Sequence, residues 1–133
     1  MNIFKAGSRP QKNPSSDWFH GNVLQTLIIE APEPARIRAL KVLFEPKART
    51  AWHSHPLGQT LFVLTGVGLI GLRNEVPQII NAGDTIWIPP DQEHWHGANE
   101  DSSMEHIAFQ EELNGKAADW LEHVIDDDYY LKS

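Results

Sequence analysis

From Val23 to Phe109 the chain consists of short apolar stretches broken by Pro, Gly and Asn. Stretches this short, bounded by turn formers, predict strands rather than helices. The pattern predicts strands at 23–30, 37–45, 50–55, 59–65, 67–73, 78–80, 85–88, 94–98 and 104–110. Eight or nine short strands at this spacing point to an all-β sandwich or barrel. Only the ends depart from the pattern. Residues 1–20 read as a polar N-terminal arm whose Trp18-Phe19 docks onto a single domain covering 21–133. Segment 116–123 reads as a helical turn or an extended strap, and 126–131 as a short helix capped by its aspartates.

Side chains alternate faces along a strand, so parity assigns the interior. If His53 and His55 point inward, Ala51 joins them, while Trp52 and Ser54 point out. Gln59 brings Leu61 and Val63 inward, and His94 brings His96 and turns Trp95 out. On the last strand His106 groups with Met104, Ala108 and Gln110; on the second, Leu40, Val42 and Phe44 share a face. The result is a mostly apolar cavity with polar groups at one level, the usual construction of a small-molecule site.

With 133 residues, 41% of them hydrophobic, the chain can bury one core. No run approaches the ~18 apolar residues of a membrane span, and the start lacks a secretory signal. A cytoplasmic protein is therefore expected, with no membrane partner. A formal charge of −7 with scattered basic residues argues against a nucleic-acid surface. The absence of cysteine excludes disulfides, thiolate ligands and cysteine nucleophiles.

Four of the seven histidines form two His-x-His pairs, in Trp52-His53-Ser54-His55-Pro56-Leu57-Gly58-Gln59 and Pro89-Pro90-Asp91-Gln92-Glu93-His94-Trp95-His96. Each pair presents two imidazoles to one face of a strand, and imidazole is the commonest metal-binding side chain. Two such strands brought together make a metal site. His20 and His123 lie outside these segments and read as ordinary histidines. Lys47 and Arg49 read as solvated loop charges, and Asp126-Asp127-Asp128 as a helix start.

These segments resemble the two motifs of the cupin superfamily. The first, Gly-(x)5-His-x-His-(x)3,4-Glu-(x)6-Gly in family form, is matched by His53-x-His55-x3-Gln59-x6-Gly66. The second, Gly-(x)5-Pro-x-Gly-(x)2-His-(x)3-Asn, is matched by Gly83, Pro89 and His94, with 16 residues between Gly66 and Gly83. The resemblance covers about residues 35–110. It implies a double-stranded β-helix, or jelly-roll barrel, with a short C-terminal helical segment outside it. Four positions depart from the motifs: Gln59 for the usual glutamate, Asp91 for a turn glycine, Ala98 for asparagine, and Lys47 for the opening glycine. Aspartate tolerates the left-handed conformation better than most residues.

A narrower resemblance is to small single-domain bacterial cupins with hydroxynitrile lyase activity. It is carried by Ala48-Arg49-Thr50-Ala51-Trp52-His53, His94-Trp95-His96-Gly97-Ala98, His106-x-Ala108-x-Gln110-Glu111 and the Gly115–Val124 tail. It implies His53, His55, Gln59 and His94 as ligands of a divalent ion. Mn²⁺ or Fe²⁺ is preferred by resemblance, with Zn²⁺, Ni²⁺ or Co²⁺ possible. Three imidazoles and one amide oxygen leave about two positions open on an octahedral ion. With no carboxylate among them, the full dipositive charge remains to attract an anionic oxygen.

His96 and His106 fall outside the ligand motif and suit proton transfer near neutral pH. The resemblance implies His106 as base toward a cyanohydrin hydroxyl, with His96 or Gln110 bonding the nitrile. Leu40, Val42, Phe44, Leu61, Val63 and Ala108 would wall a small-molecule pocket for an apolar or aromatic aldehyde. Two other functions fit the same fold: a small metal-dependent dioxygenase, and a non-enzymatic small-molecule-binding cupin. Outward Trp52, Trp87 and Trp95 read either as covered by a second layer or as an interface. A homodimer or homotetramer is expected, partly because cupins commonly pair.

Overall fold

The computed structural model describes residues 1–132. Its elements in chain order are β1 (Gln11–Lys12), β2 (Phe19–His20), β3 (Val23–Glu30), β4 (Ile37–Phe44), β5 (Arg49–Thr50), β6 (His53–Ser54) and β7 (Gln59–Leu72). They continue with β8 (Gln78–Asn81), β9 (Thr85–Ile88), β10 (His94–Ala98), β11 (Met104–Glu111), β12 (Asp119–Trp120) and one helix, α1 (Asp126–Tyr129). The strands pair antiparallel in the order β1-β3-β4-β11-β7-β10-β5-β2 and curl into an all-β jelly roll. No helix among the described residues is long and apolar enough to cross a membrane.

The curl depends on β7. Two strands are expected over 59–73, but one strand of 14 residues forms. Its first part pairs with β9 and β11, its second with β8 and β10, so one strand belongs to both halves. The bend falls near Gly66, which has φ +78°, and the register with β11 slips between Glu105 and His106. A Cβ at Gly66 would overlap the Ser103 carbonyl, so both conformation and space require glycine there. This is the closing glycine of the first histidine motif.

The predicted 50–55 strand is split into β5 and β6. Between them the backbone turns to other partners: Ala51 N–H donates to Trp18 O and Trp52 N–H to Glu122 O. The arm contributes β1 and β2, which pair with β3 and β5, and Phe19 enters the core beside Val42, Phe44 and Met104. Segment 116–123 is an extended strap; its strand β12 pairs with β6.

Two readings of the surface require correction. Arg49 is not solvated: it is 3% exposed, donates from Nη2 to Val124 O at 3.0 Å and to Asp126 Oδ1 at 2.8 Å, and lies over the Tyr129 ring. The helix is not capped by an aspartate side chain; Ile125 is its N-cap, and Asp126, Asp127 and Asp128 lie inside its first turn. There their charge complements the unpaired N–H groups. Of the two readings of the outward tryptophans, cover by a second layer holds for Trp52 and Trp95, which pack against the chain's own Val124 and Tyr129, while Trp87 is exposed at 60%.

Lys47 and Asp91, the two residues that replace motif glycines, both adopt the left-handed conformation, with φ 71° and 65°. The turn geometry persists without the glycine, and an L-residue there costs about 1–2 kcal/mol of local strain. Lys47→Gly is expected to stabilise the protein by about 1 kcal/mol, read as a higher denaturation midpoint in urea. An unchanged or lower midpoint would show that the Lys47 side chain offsets the strain.

Candidate metal centre

Three histidines share one local arrangement. The Nδ1 of His53 lies 2.9 Å from Ala51 O, that of His94 2.9 Å from Gln92 O, and that of His55 2.7 Å from Ala117 O. A carbonyl can only accept, so each Nδ1 carries the proton and each Nε2 keeps a lone pair. This second-layer hydrogen bond is how metal-binding imidazoles are usually oriented. The rings face one another: centroids are 4.2 Å apart for His53–His94, 5.0 Å for His53–His55 and 5.4 Å for His55–His94. The fold creates this by pairing His94 of β10 with His53 of β6. Gln59 follows at the start of β7.

Burial keeps these rings neutral. Desolvation pushes His53 well below its ordinary pKa, reinforced by repulsion from His94 and His55. Desolvation also lowers His55, and takes His94 down to about 4. Neutral His94 has one proton, already given to Gln92 O. Its Nε2 nevertheless faces Gln59 Oε1 at 3.2 Å. Two lone pairs are thus directed at each other with no proton between them. The Gln59 amide is held that way round because its Nε2 donates to Gln110 Oε1 at 3.0 Å. A cation resolves the opposition, since neighbouring ligands each about 2.1 Å from one ion lie about 3 Å apart. The Nε2 of His55 is buried without a partner. The donors fit a divalent cation, which His53, His55, His94 and Gln59 would hold.

His96 is close enough to share the centre: ligand atoms of His53, His94 and His96 all lie within 4.8 Å of one another. What separates it from the other three is its Nδ1, which bonds to His106 Nε2 at 3.0 Å rather than to a carbonyl. Its backbone N–H donates to Thr50 Oγ1. The outer nitrogens of this pair, His96 Nε2 and His106 Nδ1, are buried without partners. Desolvation is the main cause that lowers both, His106 to about 4. Repulsion from His106 adds to the lowering of His96.

A chamber of about 90 Å³ is lined by His53, His55, Gln59, His96, His106 and Gln110 on its polar side. It is lined by Leu40, Val42, Phe44 and Ala108 on its apolar side, as expected from parity. Leu61 and Val63 do not line it. Leu61 packs on Ile88 and Ala108, and Val63 packs in the core with Phe44 and Met104. They point inward but lie beneath the surface of the chamber. Sequence reading missed Gln25, Thr50, Phe19, Ala117, Ala118 and Trp120, all of which line it. Gln25 had a signal, being a polar residue on the inward parity of β3; the tail residues had none. Trp120 lies on His53, with ring centroids 4.5 Å apart. An outer cavity of about 610 Å³ adjoins it, the two sharing Gln25, Leu40, Gln110, Ala117, Ala118 and Trp120 as lining.

Fold, paired histidines and carbonyl-oriented imidazoles together describe a barrel with a metal-binding interior. The cupin-domain family matches residues 40–109, and the chain belongs to that family. It is 46% identical over 129 residues to an (R)-mandelonitrile lyase of Granulicella tundricola, covering 97% of this chain and 98% of the relative. It is 38% identical to a cupin-like protein of Thermotoga maritima, with a TM-score of 0.83 over 97% of this chain and 95% of the other. The polyketide cyclase RemF of Streptomyces resistomycificus shares the fold, at 15% identity and a TM-score of 0.76, over 97% and 90% of the two chains.

Buried neutral imidazoles also dictate the acid response of metal-free protein. Between pH 6.5 and about 4, His94 and His106 stay unprotonated in the native state but bind protons once unfolded. The unfolded chain binds more protons there, so stability rises with pH and is lost as pH falls through this window. The loss approaches roughly 3 kcal/mol per group near pH 4. Thermal melts of chelator-treated protein should give a midpoint that is level above pH 7 and falls steeply below about pH 6. A midpoint unchanged down to pH 5 would contradict the buried neutral state.

Proposed function

We propose that the protein is a metal-dependent lyase that splits a cyanohydrin into an aldehyde and cyanide and catalyses the reverse addition. One observation carries the reading: a hydrogen-bonded histidine pair opens into the same chamber as a ligand set without carboxylate. No Asp or Glu lines that chamber among the described residues. The 46% identical relative named as an (R)-mandelonitrile lyase supports the same reaction class.

A bound divalent ion, Mn²⁺ or Fe²⁺ in our reading, supplies a Lewis acid that favours the alkoxide over the alcohol. The chain's own residues do the rest. The His96–His106 pair accepts the hydroxyl proton of the substrate, and its hydrogen bond spreads the acquired charge over two rings. The carbonyl forms as the carbon–carbon bond breaks. The bonding electrons leave with cyanide, which takes the proton from the pair and departs as hydrogen cyanide. The low pKa of the histidines makes the protonated pair a ready donor for this second transfer. Leu40, Val42, Phe44 and Ala108 hold the apolar part of the aldehyde and exclude water.

Purified protein should carry about one divalent ion per chain, and mandelonitrile cleavage should vanish on chelation and return on reloading. His96→Ala and His106→Ala should each lower kcat by about 100-fold or more, and the double variant should be little worse than either, because the two act as a unit. Stoichiometric metal without cleavage would overturn the lyase reading. Additive losses would overturn the pair as a single proton carrier.

A further inference from the structure

Gln25 is a polar residue where the fold has no structural use for one. It is 8% exposed and is the third residue of β3. Its neighbours on the same face, Val23 and Leu27, are apolar. A buried amide normally finds protein partners, because leaving it unpaired is costly. The Gln59 NH₂ shows the normal case, donating to Gln110 Oε1 at 3.0 Å. The Gln25 side chain makes no hydrogen bond to any of the described residues, and its amide atoms are not among the fully buried unpaired ones, so the amide is left facing the chambers and their solvent. Instead it lines both the inner and the outer chamber, at their junction.

The register places it relative to the reacting groups. Gln25 pairs with Val42, and Val42 pairs with His106. The three residues stand in one row across β3, β4 and β11, and all three line the inner chamber. With strands about 4.8 Å apart, the backbones of Gln25 and His106 are separated by about 10 Å. A ligand lying across Val42 has the histidine pair at one end and the Gln25 amide at the other. The inner chamber alone, about 90 Å³, holds little more than the reacting atoms. A ligand too large for it would extend along the lining shared with the outer chamber, of which Gln25 is a part.

We propose that Gln25 is a substrate-contacting specificity residue that hydrogen-bonds a second polar group of the substrate, on the far side of Val42 from the reacting oxygen. This rests on the lyase reading in taking aryl aldehydes as ligands. The substrate class it defines is an aldehyde, or its cyanohydrin, whose aryl body carries a hydroxyl or similar hydrogen-bonding substituent. An unsubstituted ring leaves the amide desolvated and unpaired. Sites built to bond a hydroxyl reject analogues that lack it.

The test is calorimetric binding of benzaldehyde, 3-hydroxybenzaldehyde and 4-hydroxybenzaldehyde to metal-loaded protein, for the wild type, Gln25→Leu and the unbranched Gln25→Met. Thermal midpoint and metal content serve as controls for folding. One hydroxylated aldehyde should bind the wild type about tenfold or more tighter than benzaldehyde. In the folded variants that preference should shrink to about twofold, with benzaldehyde bound as well as before or better. Equal affinities in the wild type, or a preference that survives both substitutions, would overturn the role of Gln25. The two readings can fail separately. A preference that needs Gln25, without cleavage of the matching cyanohydrin, would overturn the lyase and leave the contact. Cleavage without the preference would do the reverse. No aldehyde binding at all would overturn both.

Discussion

Each buried imidazole in this barrel has a single proton, and for three of them a backbone carbonyl consumes it. That constraint sets which nitrogen keeps the free lone pair in each of those three rings. Two of the three bonds are local and alike: His53 to Ala51 and His94 to Gln92, each two residues back along the chain. The turn before each strand therefore fixes the tautomer of its first histidine. The third bond is long-range, from His55 to Ala117. Once the protons are spent, Nε2 of His94 has nothing to offer Gln59 Oε1 but repulsion, and a cation is the natural resolution.

The long-range bond makes the C-terminal strap part of the site. Ala117 orients His55, and Trp120 covers His53. The strap is held from outside the barrel. Arg49 grips Val124 and Asp126, and Tyr129 OH donates to Ala98 O at 2.7 Å. Arg49 and Thr50 are successive residues of β5 with opposite tasks. Arg49 anchors the tail on the outer face, while Thr50 accepts the His96 N–H within. Two residues of one short strand thus connect the covering layer to the histidine pair. Trp52 and Trp95 complete that layer against Val124 and Tyr129.

Local alternation made much of this legible in advance. Strands β3, β4 and β8–β11 lie within about a residue of where the pattern puts them, and parity placed the histidines, Gln59, Leu40, Val42, Phe44 and Ala108 correctly inward. The failures have one origin. Parity gives the direction of a side chain but not its depth, so Leu61 and Val63 were assigned to a wall that other residues cover. Nor does it reveal what chain will arrive from elsewhere. Arg49 looks solvated until residues 124–129 fold over it, and Ala117 carries no chemistry except its carbonyl. The single strand β7 was hidden by Gly66, which reads as a break in sequence but serves as a bend within a continuous ladder.

The exchange of glutamate for Gln59 is best understood together with Gln110. An amide differs from a carboxylate in having an NH₂ that needs an acceptor when buried. Gln110, directly across from Gln59 in the β7–β11 ladder, offers its Oε1 to that NH₂. A carboxylate at position 59 would instead place an anionic oxygen against the Gln110 oxygen and force that amide to rotate. The two glutamines therefore form one device: β11 supplies the acceptor, the acceptor orients the amide, and the amide directs a neutral oxygen toward His94. The charge of the interior is thus set jointly by both strands. A site so arranged would leave a bound cation's positive charge undiminished toward an anionic oxygen, in a protein whose formal charge is −7 and none of whose Asp or Glu side chains, among the described residues, lines the chamber.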